Sequence, residues 1–368
     1  MSERIALGAQ GSLGIAAETY ADGAIAVATS VQRLLWGANW VFSFDEPLVT
    51  FEDVQTEGTL ENAPIDPVQT NARATMTREG ILDLSEIPMA LHSALGVVAA
   101  TNPTGTSNTH LFVWNRAGGA GFRPVTWSVW GIDRDTDSPQ NTSANSFEKA
   151  YCTEFTITSA AGNQEVTMSS AYAGANPQRD IALPTGHDTA RIGAEQLECV
   201  NTNSQLISGT SFANLVSSPT PVDIDINSIA ITFTPGNVAV EERNGNEDFS
   251  YTRVRNGKRM LTLSITAKVN IYTSSFYKRM VASKKAKTTE YLGMRVRGKK
   301  IETANSTDYF NEFAAGAAFK HTTASMQEVG TTADADERIV QIELQSIQDR
   351  TAGRGTFFRL QTEQATYP

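Results

Sequence analysis

The chain has 368 residues, enough for two domains of ordinary size that each bury a core. Its two cysteines, Cys152 and Cys199, lack CxxC spacing and its four histidines (His92, His110, His187, His321) are scattered, so neither a disulfide scaffold nor a metal centre is expected. A net charge of −10 and no run of about 18 apolar residues argue against a dedicated nucleic-acid binder and against a membrane span.

Residues 1–38 read as an N-terminal arm punctuated by Gly8, Gly11, Gly14 and Gly23. The first residues, Met1-Ser2-Glu3-Arg4-Ile5, lack the basic start of a secretory leader, so export is not expected. Gly8-x-x-Gly11-x-x-Gly14 has neither Walker nor dinucleotide spacing, and no phosphate loop is expected there.

A first module is expected over 39–175. Trp40, Phe42 and Phe44 alternate with Val41, Ser43 and Asp45 up to a turn at Pro47, which predicts a strand with one buried and one wet face. The excursion over 53–71 holds Gly58, Pro64, Pro67 and the carboxylates Asp53, Glu57, Glu61 and Asp66. It is long for a hairpin connection, and predicts a mobile functional loop or an arm that orders on a partner. A second alternating strand, Ala72-x-Ala74-x-Met76 and on to Leu82-x-Leu84, runs into a helix over 85–95. Ser85 can cap that helix, Pro88 is tolerated in its first turn, Ile87, Leu91 and Leu95 share a face, and Gly96 ends it. Strands follow over 110–116 and 122–132, then a hairpin over 151–157 and 166–168 with Gly162-Asn163 in its turn. Trp127 and Trp130 fall on opposite faces of their strand, one for the core and one for a subunit interface.

A junction rich in Gly, Pro and Asn over 174–189 leads into a linker and lead-in strand, 176–225. The second module, 226–350, opens on Ile231-x-Phe233-x-Pro235. The excursion over 236–258 carries Asn244-Gly245 and Asn256-Gly257, which favour type I′ turns and predict a two-stranded finger around 249–254. Leu261-x-Leu263-x-Ile265, continued by Val269-x-Ile271, reads as a strand into a helix over 273–283, where Phe276 pairs with Met280 and Tyr277 with Val281. Strands over 291–297 and 314–319 and a hairpin returning on Val340-x-Ile342-x-Leu344 complete it. Residues 351–368 read as a tail.

The two modules repeat one order of elements at a spacing of about 188 residues, the mark of a tandem duplication. The expected fold class is mainly β: two β-sandwich or barrel modules, each with a flanking α-helix across the buried face of its own sheet. Two copies of a small β module point to a ring-building structural protein more than to an enzyme.

Charge is divided unevenly, roughly −12 over residues 1–188 and roughly +2 over the rest. Basic residues crowd the second helix and the strand after it, including Lys278, Arg279, Lys284, Lys285, Lys287, Arg295, Arg297, Lys299 and Lys300. A solvated face explains such a run. Head-to-tail association of an acidic first module with a basic second one is the alternative.

Catalytic and metal motifs are weak. Gly209-Thr-Ser-Phe-Ala213 resembles the nucleophile motif of subtilisin-like proteases at Ser211, but the expected Pro is absent at Asn214-Leu215 and no matching His segment exists. Asp133-x-Asp135-x-Asp137 starts like a calcium loop, yet Ser138 and Ala144 stand where an EF-hand needs Gly and Glu. The sequons at Asn141 and Asn305 carry no meaning without export. The expectation is a chain with no enzymatic activity, no cofactor and no metal.

The chain resembles the tail tube (major tail) proteins of long-tailed bacteriophages, in the version with two tube modules per chain. Four features carry the resemblance: the opening Gly11-Ser-Leu-Gly-Ile-Ala-Ala-Glu-Thr-Tyr20; the strand into Ile81-Leu-Asp-Leu-Ser-Glu-Ile-Pro-Met-Ala-Leu-His-Ser-Ala-Leu-Gly96; the second-module start Ile226-Asn-Ser-Ile-Ala-Ile-Thr-Phe-Thr-Pro-Gly236; and the closing hairpin of each module. It implies that modules join their inner sheets into a barrel around a channel, that three two-module chains make a pseudo-sixfold ring, and that rings stack into a tube for genome ejection. The implied partners are further copies of the chain, the tail terminator, tape measure and tail-tip proteins, and DNA in transit. The implied location is the virion tail, assembled in the host cytoplasm.

Thr232, Thr234, Thr262, Ser264, Thr266 and Asn270 lie on the wet side of the second module's alternating strands and suit a water-filled lumen. Asp53, Glu57, Glu61 and Asp66 in one excursion, Arg253 and Arg255 in the other, and Lys284, Lys285 and Lys287 are the candidates for contacts between subunits or rings. A lumen poor in Lys and Arg avoids sticky phosphate sites along the DNA path. A carbohydrate-binding or adhesin-type β-sandwich protein, with exposed aromatics on a concave face, is the alternative reading.

Overall fold

The computed structural model of the protein describes residues 3–7, 12–21, 24–35, 38–45, 48–49, 68–69, 72–84, 86–96, 101, 106–113, 124–132, 143–161, 165–187, 204–240, 253–255, 257–268, 270–304, 307–320, 325–329, 339–347 and 355–363. The first half runs through β1 (Glu3–Leu7), β2 (Ser12–Ala17), β3 (Thr19–Ala21), β4 (Ala24–Ala26), β5 (Arg33–Leu35), β6 (Ala38–Asp45), β7 (Leu48–Val49), β8 (Val68–Gln69) and β9 (Arg73–Ile81) into helix α1 (Ile87–Leu95). Then come β10 (Asn108–Val113), β11 (Trp127–Ile132), β12 (Ala144–Ala160) and β13 (Thr167–Ile181). The second half has β14 (Ser204–Gly209), helix α2 (Phe212–Ser217), β15 (Thr220–Pro221), β16 (Ile226–Thr234), β17 (Val238–Val240), β18 (Arg253–Arg255) and β19 (Met260–Lys268). It ends with helix α3 (Ile271–Ala286), β20 (Thr289–Ala304), β21 (Thr307–Lys320), β22 (Ser325–Val329), β23 (Ile339–Ile347) and β24 (Thr356–Thr362). The fold is mainly β, and its strand pairs are antiparallel.

Nine strands join edge to edge in the order β1, β6, β9, β13, β12, β16, β19, β23, β22. A second run has the order β15, β14, β20, β21, β24, β10. The two runs touch where Ala318 and Phe319 of β21 face Ile347 and Ser346 of β23. Strand β12 serves two neighbours on one edge: its first part pairs with β11, which continues to β2 and β5, and its last part, 155–160, pairs with β16. Register shifts along the β12–β13 ladder bend the strand enough to do both.

Segments expected outside the modules are woven into these sheets. Residues 1–38, expected as an arm, supply β1, β2 and β5. Residues 176–225, expected as a linker, supply β14 beside β20. Residues 351–368, expected as a tail, supply β24, which joins β10 of the first half to β21 of the second.

Alternation places the core. Along β19, Leu261, Leu263, Ile265 and Ala267 are buried and the residues between them are not. Trp40, Phe42 and Phe44 do the same for β6. The Gly/Ala-rich stretch at 314–319 is a strand buried on both faces. One hydrophobic cluster takes in side chains from both halves, and Phe155, Phe233 and Phe358 meet inside it. Trp127 belongs to this cluster, and Trp130, on the opposite face, is also buried within the chain, in a smaller cluster with Val31, Leu34 and Ile132.

Helix α1 is buried along its whole length and lies against β12. Its N-cap position is Glu86, without a capping side-chain bond; Ser85, the expected cap, lies outside the described residues. Gly96 ends the helix with φ of 87°, its amide donating to the His92 carbonyl, as the sequence predicts. Helix α3 begins earlier than expected. Ile271, expected to continue the strand, is its first residue, Val269 lies outside the described residues, and the Asn270 side chain accepts from the Thr273 amide as N-cap. Phe276 and Met280 enter the core from this helix.

Candidate functional site

The alternation that buries one face of the long sheet leaves small polar groups along much of the other face, interrupted on β12 and β13 where Tyr151, Ala173 and Ala175 pack with Ile25, Ala239 and Val254. On β6 and β9 it carries Asn39, Ser43, Thr75, Thr77 and Glu79, which line a shallow concavity of about 390 Å³ with Val41. Across the β9–β13 ladder Thr77 faces Ala171 and Thr75 faces Ala173. Thr156 on β12 faces Ser169 on one side and Thr232 on the other. Thr232 in turn faces Thr262, which faces Gln345 on β23. One row of threonines therefore crosses the boundary between the halves, and the Thr156 and Thr232 hydroxyls are hydrogen-bonded at 2.9 Å.

The expected lumen set is largely brought together here. Thr232, Thr234, Thr262, Ser264 and Thr266 occupy this face in register, Ala230 facing Ser264 and Ser228 facing Thr266. Asn270 does not belong with them: it is committed to capping α3 and also donates to Asp225. Sequence reasoning missed the first-half members Thr75, Thr77, Thr156 and Glu154, although Ala74-x-Met76 already fixes the parity of the strand that carries Thr75 and Thr77. Charge on the face is mostly acidic away from the strand ends, with Glu79, Glu154 and Glu343 exposed. The Glu154 carboxylate accepts from Thr234 at 3.5 Å.

The other candidates are dispersed. Lys284, Lys285 and Lys287 are exposed at the C-terminal end of α3, where positive charge complements the helix dipole. Arg253 and Arg255 are in β18, paired with β17 as the base of the expected finger. There Gly236, at φ of 65°, and Gly257 pack backbone to backbone; a Cβ on Gly257 would sit 1.7 Å from the Gly236 carbonyl oxygen. Asp53, Glu57, Glu61 and Asp66 lie outside the described residues, as do Asp133, Asp135, Asp137 and Cys199.

Two ionic groups stand behind the sheets. Arg78, almost fully buried, pairs with Glu86 and donates to the Met168 carbonyl at 2.9 Å and the Ile81 carbonyl at 2.6 Å. Burial pushes the Glu86 carboxyl up to about 8, against the pull of Arg78. Buried Glu312 receives Arg297 at 2.7 Å and Arg359, tying β20, β21 and β24 together. Arg295 is lowered by burial, and Glu312 opposes that shift. Ser211 caps α2 by accepting from the Asn214 amide at 3.1 Å, which accounts for its place in the sequence. Burial pushes the Cys152 thiol up.

Among the described residues no helix is long and apolar enough to cross a membrane. No protein-family model matches the chain, and no curated protein matches it. A solved structure of a FadL homologue from Pseudomonas aeruginosa aligns over 97% of this chain and 89% of its own at 10% identity, with a TM-score of 0.09, a likeness that carries no argument.

Proposed function

We propose that this chain is a structural subunit of a bacteriophage tail tube, a tandem duplication whose long sheet lines a channel for DNA, three chains making a ring and rings stacking into a tube. The observation that carries the reading is the row of polar residues on one face of β6, β9, β12, β16, β19 and β23, strands that belong to one unbroken ladder of pairings across both halves. Its hydroxyls and carboxylates suit a wet wall along which phosphates slide.

The duplication is supported by matching ladders. Phe44 faces Ala74 and Phe42 faces Met76 in one half; Phe233 faces Leu261 and Ile231 faces Leu263 in the other. A strand from the end of each half then pairs with the second of these, β13 with β9 and β23 with β19. Helix α1 follows β9 and helix α3 follows β19, each directly after its ladder. On this reading the two excursions reach neighbouring rings, and the terminator, tape measure and tail-tip proteins meet the ends of the tube.

The carbohydrate-binding alternative calls for exposed aromatics on a concave face. Among the described residues the large hydrophobics that stand exposed are Val238 and Met260, neither aromatic. Electron microscopy of the purified protein, with light scattering on the same sample, tests the proposal. Rings or tubes with three chains per layer are expected; a compact monomer under all conditions overturns it.

A further inference from the structure

The edge of β6 is held by the chain's own N-terminus. Strand β1 pairs with β6 so that Glu3 faces Phe44, Ile5 faces Phe42 and Leu7 faces Trp40. On β16, the strand matching β6, the same edge is held by the last part of β12, with Phe155 facing Phe233, Ile157 facing Ile231 and Ser159 facing Ile229. The first half thus seats a short local strand where the second half seats a strand of the other module.

At the far end of the sheet, β22 pairs with β23 as β12 pairs with β13. Among the described residues no other strand pairs with β22, so the edge that β12 uses to grip β16 is the edge that β22 presents outward. An unpaired strand edge is a template for another chain.

We infer that β1 is a displaceable latch: it occupies the β6 edge in the free chain and leaves when β22 of a second copy takes that edge. The inference rests on the duplicated-module reading, and deepens it by naming what keeps free chains apart. The register follows from the matching ladders. Thr156 faces Thr232 within the chain, and its counterpart Gln327 faces Ser43 of the next copy, where Arg4 now stands. Five residues of β1 form a short ladder tethered to its own sheet, stable against unspecific edge pairing and replaceable by a matched strand at high subunit concentration.

Two cysteine pairs in the full chain test this. Directly opposed antiparallel positions lie about 4.5–5.5 Å apart at Cα, within disulfide reach. Arg4→Cys with Ser43→Cys should cross-link within one chain and, when oxidised, hold it monomeric by light scattering; reduction should restore assembly. Ser43→Cys with Gln327→Cys should instead give dimers and trimers on a non-reducing gel once assembled. An oxidised Arg4→Cys/Ser43→Cys chain that assembles as readily as the reduced one overturns the latch and leaves the tube reading standing. Failure of that pair to cross-link at all overturns the β1 seat. If neither the reduced protein nor a chain lacking residues 2–7 self-associates, the latch and the tube reading fall together.

Discussion

Phe155 of β12 and Phe233 of β16 meet with ring centroids 5.5 Å apart across the ladder that joins the two halves, and Phe358 of β24 lies 4.7 Å from Phe233 and 5.7 Å from Phe155. All three rings are buried, so removing one leaves a cavity that neighbours from three strands must share. Phe233→Ala is expected to cost about 3–5 kcal/mol. Because the rings come from both halves, the variant should unfold in urea as one transition with a lower midpoint. Two resolved transitions would show that the halves are stable apart from one another.

Glu312 holds three strands through one carboxylate. Glu312→Gln keeps the volume and removes the counter-charge of Arg297 and Arg359, and of nearby Arg295. Breaking a buried pair in this way is expected to cost about 3–5 kcal/mol, mostly through Arg359, because Arg297 is partly solvated. Asp308→Asn, which breaks the exposed pair of Asp308 with Lys300 at 2.7 Å, is the control and should leave the denaturation midpoint unchanged.

Burial raises Glu86 well above a carboxylate's ordinary value, with Arg78 opposing and Asp83 adding to the rise. Between the ordinary value and about 8, the folded chain keeps a proton that the unfolded chain releases. Stability from this group is therefore present at low pH and declines as pH rises through that window. Thermal melts of the wild type should fall in midpoint from about pH 5 to about pH 8. In Glu86→Gln that slope should be shallower, and an equal slope in both proteins would show that Glu86 is ionised throughout.

Much of the fold was legible because alternation is local. The parity of Phe42 and Phe44, and of Leu261, Leu263 and Ile265, gives strand, buried face and wet face at once. The polar field needed only the same parity carried to Thr75, Thr77 and Thr156. What alternation lacks is information on which distant strand takes an edge. Nothing near residues 351–368 says that β24 lies between β10 and β21, because that seat depends on Phe358 reaching a core built by β12 and β16. Likewise only 151–157 of β12 reads as a strand, because the part before it is held by a distant neighbour, β11, and the register shifts that let one strand serve two neighbours leave no simple alternation. Opposite faces for Trp127 and Trp130 follow from the alternation, but the burial of Trp130 does not, because it depends on a second, minor core that includes Ala16 and Ala144.

Asn270 shows how a local signal can be overridden by a longer pattern. Its place three residues before Thr273 is that of an N-cap, and its side chain accepts from that amide at 2.8 Å. Asn270→Ala is expected to cost about 1 kcal/mol, while Asn270→Asp should keep most of it. Chemical denaturation of the two variants separates capping from any role on the polar face, where both substitutions would act alike.

Thr232 sits at the middle of the threonine row, bonded to Thr156 and facing Thr262. On the channel reading, Thr232→Lys puts one ammonium per chain into the wall, and three per ring repeat along the tube. The position is half-exposed, so the fold and ring assembly should survive. Each added lysine offers passing DNA a phosphate contact whose strength falls as counterion concentration rises. Virions carrying the variant should adsorb normally and eject DNA more slowly, with the delay shrinking as salt is added, whereas Thr232→Ser should eject at the wild-type rate. Slow ejection that ignores salt would point to a deformed wall; an unchanged rate for the lysine variant would take Thr232 off the DNA path.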